Sequence, residues 1–98
     1  MYPSVDMETM TWLEYREKID SILILPVGAT EQHGPHLPLC VDALLAREFA
    51  HRLAQKTNGI VAPALSYGYK SKPQSGGGPL FPGTIDLSGA TLNSLRPI

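Results

Sequence analysis

A chain of 98 residues has room for one small domain, and its 43% hydrophobic content excludes a disordered polypeptide. A net charge of −1, with the charges scattered, excludes the basic patch that gripping nucleic acid or an anionic membrane requires. The lone cysteine, Cys40, excludes an intrachain disulfide and fits a reducing, cytoplasmic setting.

From the amino end, Met1 to Thr11 is polar and acidic and lacks the apolar stretch of a secretory leader. Thr11 and Glu14 have the T-x-x-E spacing of a capping box. They predict a short helix from Trp12 to Ile19 with Trp12, Tyr15 and Ile19 on one face. Ile22 to Gly28 is a continuous apolar run, expected to form a strand buried on both faces in a parallel sheet. Extended only to Ala29, it is too short to span a bilayer. Ala29 to Val41, with its histidines and prolines, is a loop at the carboxyl end of that strand.

Ala43 to Lys56 is a helix with Leu45, Phe49 and Leu53 at i, i+4 and i+8 as its core-facing stripe, widened by Ala46 and Ala50. Asp42 is placed to cap that helix or to complement its positive start. Asn58-Gly59 supplies a left-handed stop. Ile60 to Leu65 is a second strand whose first half pairs better, because Pro63 donates no ladder hydrogen bond. Strand, helix and strand in this span make a βαβ unit with parallel strands. Ser66 to Gly83 is a long Gly-, Ser-, Pro- and Tyr-rich functional loop. Asp86 or Ser88 is placed to cap a further helix from about Gly89.

Chemistry concentrates in Glu31-Gln32-His33-Gly34-Pro35-His36 and in Asp42. Glu31 and His33, two apart, project to one side of extended backbone, and Asp42 at a helix start can swing back toward them. Two carboxylates and an imidazole are donors that Zn²⁺ or Mn²⁺ accepts, and open α/β sheets bind ligands beyond the carboxyl ends of their strands. Spacing alone leaves a second reading open: a polar surface loop followed by an ordinary N-cap. His36 is either an orienting partner or a solvated loop residue. His51 reads as a partly exposed helix residue, and Cys40 as a small buried filler. Tyr67 and Tyr69 serve packing or substrate stacking. The glycines after Ser75 let backbone approach a small ligand.

The run from Leu25 through Glu31-Gln32-His33-Gly34-Pro35-His36 to Asp42 resembles the signature of the creatininase family. A second block, from Tyr67-Gly68-Tyr69 through Ser75-Gly76-Gly77-Gly78 and Phe81-Pro82-Gly83-Thr84 to Leu92, resembles its creatinine-hydrolysing members. The resemblance implies an α/β fold of three αβα layers with a mostly parallel sheet, usually assembled as a homohexamer. It implies a two-metal site holding zinc, manganese or both, with Glu31 on one ion, His33 on the other and Asp42 bridging. Ser75 matches a residue near the substrate. The implied reaction is metal-assisted hydrolysis of a small cyclic amide, creatinine opening to creatine. Pro35, Pro79 and Leu80 depart from the creatinine-hydrolysing pattern, so a formamide, peptide or inosose hydrolase of the same family stays open. Family members are much longer, and their remaining ligands and acid–base residue fall after Ile98. The 98 residues are therefore expected to be the N-terminal portion of a single creatininase-like domain, inactive alone, or a metal-binding fragment without catalysis.

Overall fold

In chain order, the described residues of the computed structural model, 5–70 and 80–95, form a 3-10 turn at Met7–Thr9 and a helix α1 at Trp12–Glu17. Strand β1 (Leu23–Ile24), helix α2 (Val41–Thr57), strand β2 (Ile60–Val61) and helix α3 (Gly89–Ser94) follow. β1 and β2 pair in parallel, with Leu23 opposite Ile60 and Ile24 opposite Val61. The intervening α2 packs against β2, which makes the expected βαβ unit.

The ladder runs further than the two-residue strands. The Gly28 N–H donates to the Leu65 carbonyl at 2.8 Å, and the Leu65 N–H to the Pro26 carbonyl at 2.9 Å. An edge not foreseen in the sequence lies on the other side of β2, where the Val61 N–H donates to the Val5 carbonyl at 2.7 Å and Asp6 bridges Val61 in parallel. β2 is thus central among the described segments, and both Ile60 and Val61 are buried. β1 departs from the expectation of burial on both faces. Ile24 is half-buried and Pro26 buried, whereas Leu23, Leu25 and Val27 are exposed. As Pro63 predicts, the regular part of the second strand ends at Val61.

α2 also sits differently from its sequence pattern. Its buried residues are Ala43, Ala50, His51 and Ala54, while Leu45, Phe49 and Leu53 are exposed. At 100° per residue the alanine line lies about a quarter turn or more from the leucine–phenylalanine line. The narrow sheet accepts the small residues closely, so Ala50 and Ala54 join Val5, Val61 and Ile24 in the core. Ala46, Phe49 and Leu53 are left flanking a groove against Ile24, Leu25, Pro26 and Val27. Asn58, at φ 55°, closes α2 in the left-handed conformation, as expected of an Asn-Gly stop.

α1 carries the predicted capping box: the Glu14 N–H donates to Thr11 Oγ1 at 3.2 Å, and the Thr11 N–H to Glu14 Oε1 at 3.4 Å. The helix ends two residues before Ile19, so of the face expected to hold Trp12, Tyr15 and Ile19 it carries Trp12, exposed, and Tyr15, half-buried. Arg16 lies over the Trp12 ring at 5.0 Å instead. Because α1 buries none of its residues, Thr11→Ala is expected to register locally. Amide exchange at Glu14 and Tyr15 should speed up roughly fivefold, the equivalent of about 1 kcal/mol for a lost cap. Ser88, not Asp86, caps α3, accepting from the Thr91 N–H at 3.1 Å. No helix among the described residues is long and apolar enough to cross a membrane.

Candidate metal centre

Beyond β1, the chain is held tightly just before its acidic residue. Thr30 Oγ1 donates to the Ser66 carbonyl at 2.8 Å, and the Thr30 carbonyl accepts from the Ile85 N–H at 3.1 Å. The next peptide is tied as well, the Glu31 N–H donating to the Leu39 carbonyl at 3.2 Å. That bond closes residues 31–39 into a loop. Gly34 turns within it at φ 86°, where a side chain is strained, and its N–H donates to Gln32 Oε1 at 2.8 Å. Gly83, at φ 89°, lies close against the Leu39 side chain.

Across from the loop, the first turn of α2 presents Asp42. Asp42 is not the N-cap. That position is Cys40, which makes no side-chain cap bond, and Asp42 lies inside the first turn. Its carboxylate is therefore not committed to the helix backbone and complements the helix start by charge alone. One ligand atom each from Glu31, His33 and Asp42 lies within 4.8 Å of the others, and all three residues are half-buried.

The pair at the centre of the cluster is informative. His33 Nε2 is 3.2 Å from Asp42 Oδ2, yet it is buried and has no hydrogen-bond partner. The two atoms are close but not aligned as donor and acceptor. A buried polar nitrogen without a partner costs free energy unless something else satisfies it. Two ligands on one Zn²⁺, at bond lengths of about 2.0–2.2 Å and a tetrahedral angle, stand roughly 3.4 Å apart. The observed spacing and the orphaned nitrogen fit a divalent cation.

The other sequence expectations divide. Ser75 lies outside the described residues, as does Pro79. His36 is exposed, and so are Tyr67 and Tyr69. Cys40 is exposed rather than a buried filler. His51 is buried rather than partly exposed, with Nε2 2.6 Å from Asp6 Oδ1. The only signal for this pair was an acid near the amino end and a histidine on the alanine line of α2, which reads as a pair only once Asp6 is known to flank β2.

The family model for creatininase, described as creatinine amidohydrolase, matches residues 8–96. The chain belongs to the creatininase family. It is 48% identical over 95 residues to the creatinine amidohydrolase of Pseudomonas putida, covering 94% of this chain and 36% of that protein. It is 37% identical over 85 residues to the 3-dehydro-scyllo-inosose hydrolase of Thermotoga maritima, covering 85% and 26%. It is 38% identical over 80 residues to the mycofactocin precursor peptide peptidase of Mycolicibacterium smegmatis, covering 76% and 30%. The chain thus spans about a third of the length of these relatives.

Solved creatininase structures superpose closely. A Zn-Zn form of a creatininase variant matches with a TM-score of 0.86 at 49% identity, covering 91% of this chain and 36% of that one. A creatininase variant complexed with creatine matches at 0.86 and 50% over 91% and 35%, and a manganese form at 0.85 and 49% over 91% and 36%. The parallel sheet with α2 against it is accordingly a creatininase-like α/β fold.

Proposed function

We propose that the chain is the metal-binding N-terminal part of a single-domain amidohydrolase that opens a cyclic amide, creatinine to creatine. The observation that carries the proposal is the convergence of Glu31, His33 and Asp42 around an imidazole nitrogen that has no protein partner. Creatininase forms containing zinc or manganese support a divalent cation, and 48% identity to a creatinine amidohydrolase supports the substrate.

Each residue has a defined part. Glu31 and Asp42 bring negative charge to a half-buried position, and His33 offers the lone pair of neutral imidazole at Nε2. A divalent cation held there by Glu31, His33 and Asp42 would supply Lewis-acid polarisation of an amide carbonyl and activation of water. Thr30 and the bond from the Glu31 N–H to Leu39 hold the loop so that both of its ligands face α2. The side chains of His33 and Asp42 retain 27% and 36% of their exposure, which leaves a small solute access. Ser75 is proposed as a substrate contact. In the same reading the complete enzyme is a cytoplasmic homo-oligomer with two ions, whose second ion and leaving-group proton draw on residues beyond these three.

The inosose hydrolase and the peptidase support a second reading, in which the same centre serves another C–N or ring-opening hydrolysis. A panel of creatinine, an inosose and a C-terminal peptide decides between them, assayed on the full-length protein carrying this sequence with and without EDTA. EDTA-sensitive creatine formation alone supports the first reading; turnover of either other substrate without creatinine overturns it. The 98-residue chain by itself is expected to bind Zn²⁺ without forming creatine.

A further inference from the structure

We propose that Gly28 is a positioning residue for the metal centre. Its missing side chain lets the end of β1 lie against the first turn of α2 and so sets Asp42 at working distance from Glu31 and His33. The inference rests on the metal-binding reading above.

The reason for glycine here is space. Among the described glycines only Gly34 and Gly83 have positive φ, so Gly28 needs no special backbone freedom. A Cβ built on Gly28, however, would stand 2.5 Å from both the N and Cα of Ala43 and 2.9 Å from the carbonyl carbon of Asp42. All three are backbone atoms, so no side-chain rotation relieves the contact. The strand end cannot easily retreat. The Gly28 N–H is bonded to the Leu65 carbonyl, and Thr30, two residues on, is tied to Ser66 and Ile85. α2 is anchored farther along by Ala50 and Ala54. The part left to move is its first turn, which carries Asp42. By contrast, a Cβ on Gly68 would meet Gly28 O at an ordinary 3.7 Å.

Gly59 provides the control. A Cβ there would stand 2.9 Å from the Ile22 carbonyl oxygen, also a backbone clash, but at the opposite end of β1 and α2 from the ligands. Zn²⁺ affinity of the purified chain is measured by calorimetry for the parent, Gly28→Ala and Gly59→Ala, with amide shifts of Asp42 and Ala43 recorded without metal. Expected are a loss of about 10–100-fold in affinity for Gly28→Ala, with shifts at Asp42 and Ala43, and a lowered Tm with unchanged affinity for Gly59→Ala. Equal affinity in parent and Gly28→Ala overturns the proposal, as does an equal loss in both variants. A parent that binds no Zn²⁺ overturns the metal reading, and this proposal with it. Should Gly28→Ala fail to fold, Thr30→Val replaces it. That variant keeps the side-chain shape and releases the strand end from Ser66, so it should weaken Zn²⁺ several-fold; unchanged affinity overturns the pinned-strand argument.

Discussion

Asp42→Ala will weaken Zn²⁺ or Mn²⁺ binding by more than about 100-fold, exceeding the roughly 10–100-fold that loss of an outer-shell partner costs. The fold should survive. Asp42 does not cap α2, and the helix loses only a charge near its start, about 0.3–1 kcal/mol. The two effects therefore separate cleanly: calorimetric titration reads the affinity, and thermal unfolding without metal reads the fold. His33→Ala should weaken binding in the same way while leaving a cavity at the loop. The metal-free His33→Ala chain should unfold no more easily than Asp42→Ala, because His33 Nε2 has no hydrogen bond to lose. Retained affinity in Asp42→Ala would place the cation elsewhere and remove the basis for the amidohydrolase proposal.

The largest expected effect on stability lies at the other end of α2. Asp6 and His51 are both buried, at 3% and 5% exposure, and their 2.6 Å contact joins the segment beside β2 to the helix. Asp6→Ala removes a buried hydrogen-bond partner of His51, a change that typically costs about 1–3 kcal/mol. A loss of that size is a measurable share of a whole-domain stability of about 5–15 kcal/mol. The Asp6→Ala/His51→Ala double variant, set against the two single ones, isolates the part of that cost that belongs to the pair. Urea denaturation of the single and double variants measures the coupling. A cost below about 1 kcal/mol for Asp6→Ala would show that the pair contributes no more than an exposed one.

What the sequence made legible was local chemistry. The Thr11–Glu14 capping box and the Asn58 stop were readable, and the α3 cap was narrowed to Asp86 or Ser88, because each is settled within four residues. The parallel pairing of β1 and β2 was readable because a strand–helix–strand order leaves few alternatives. Glu31, His33 and Asp42 were readable as a set from residue type and from the family motif. What escaped was decided by distant partners. The seating of α2 depends on how close the sheet allows it, which favoured Ala50 and Ala54 over Phe49 and Leu53. The burial of His51 depends on Asp6, 45 residues away. The role of Gly28 depends on Ala43, a contact no spacing rule shows.

The central place of β2 carries a consequence for how the chain is made. Val5 and Asp6 are made before their partner Val61, which lies 56 and 55 residues later. At about 5–20 residues per second, they wait roughly 3–11 s for it, while α2 forms from contacts within its own turns in microseconds. The helix is therefore synthesised in full before the second strand it rests on. Val5, buried against Val61 in the finished structure, stays uncovered until β2 is made, so synonymous changes that slow translation between α2 and β2 would lengthen the time it stands open to chaperones.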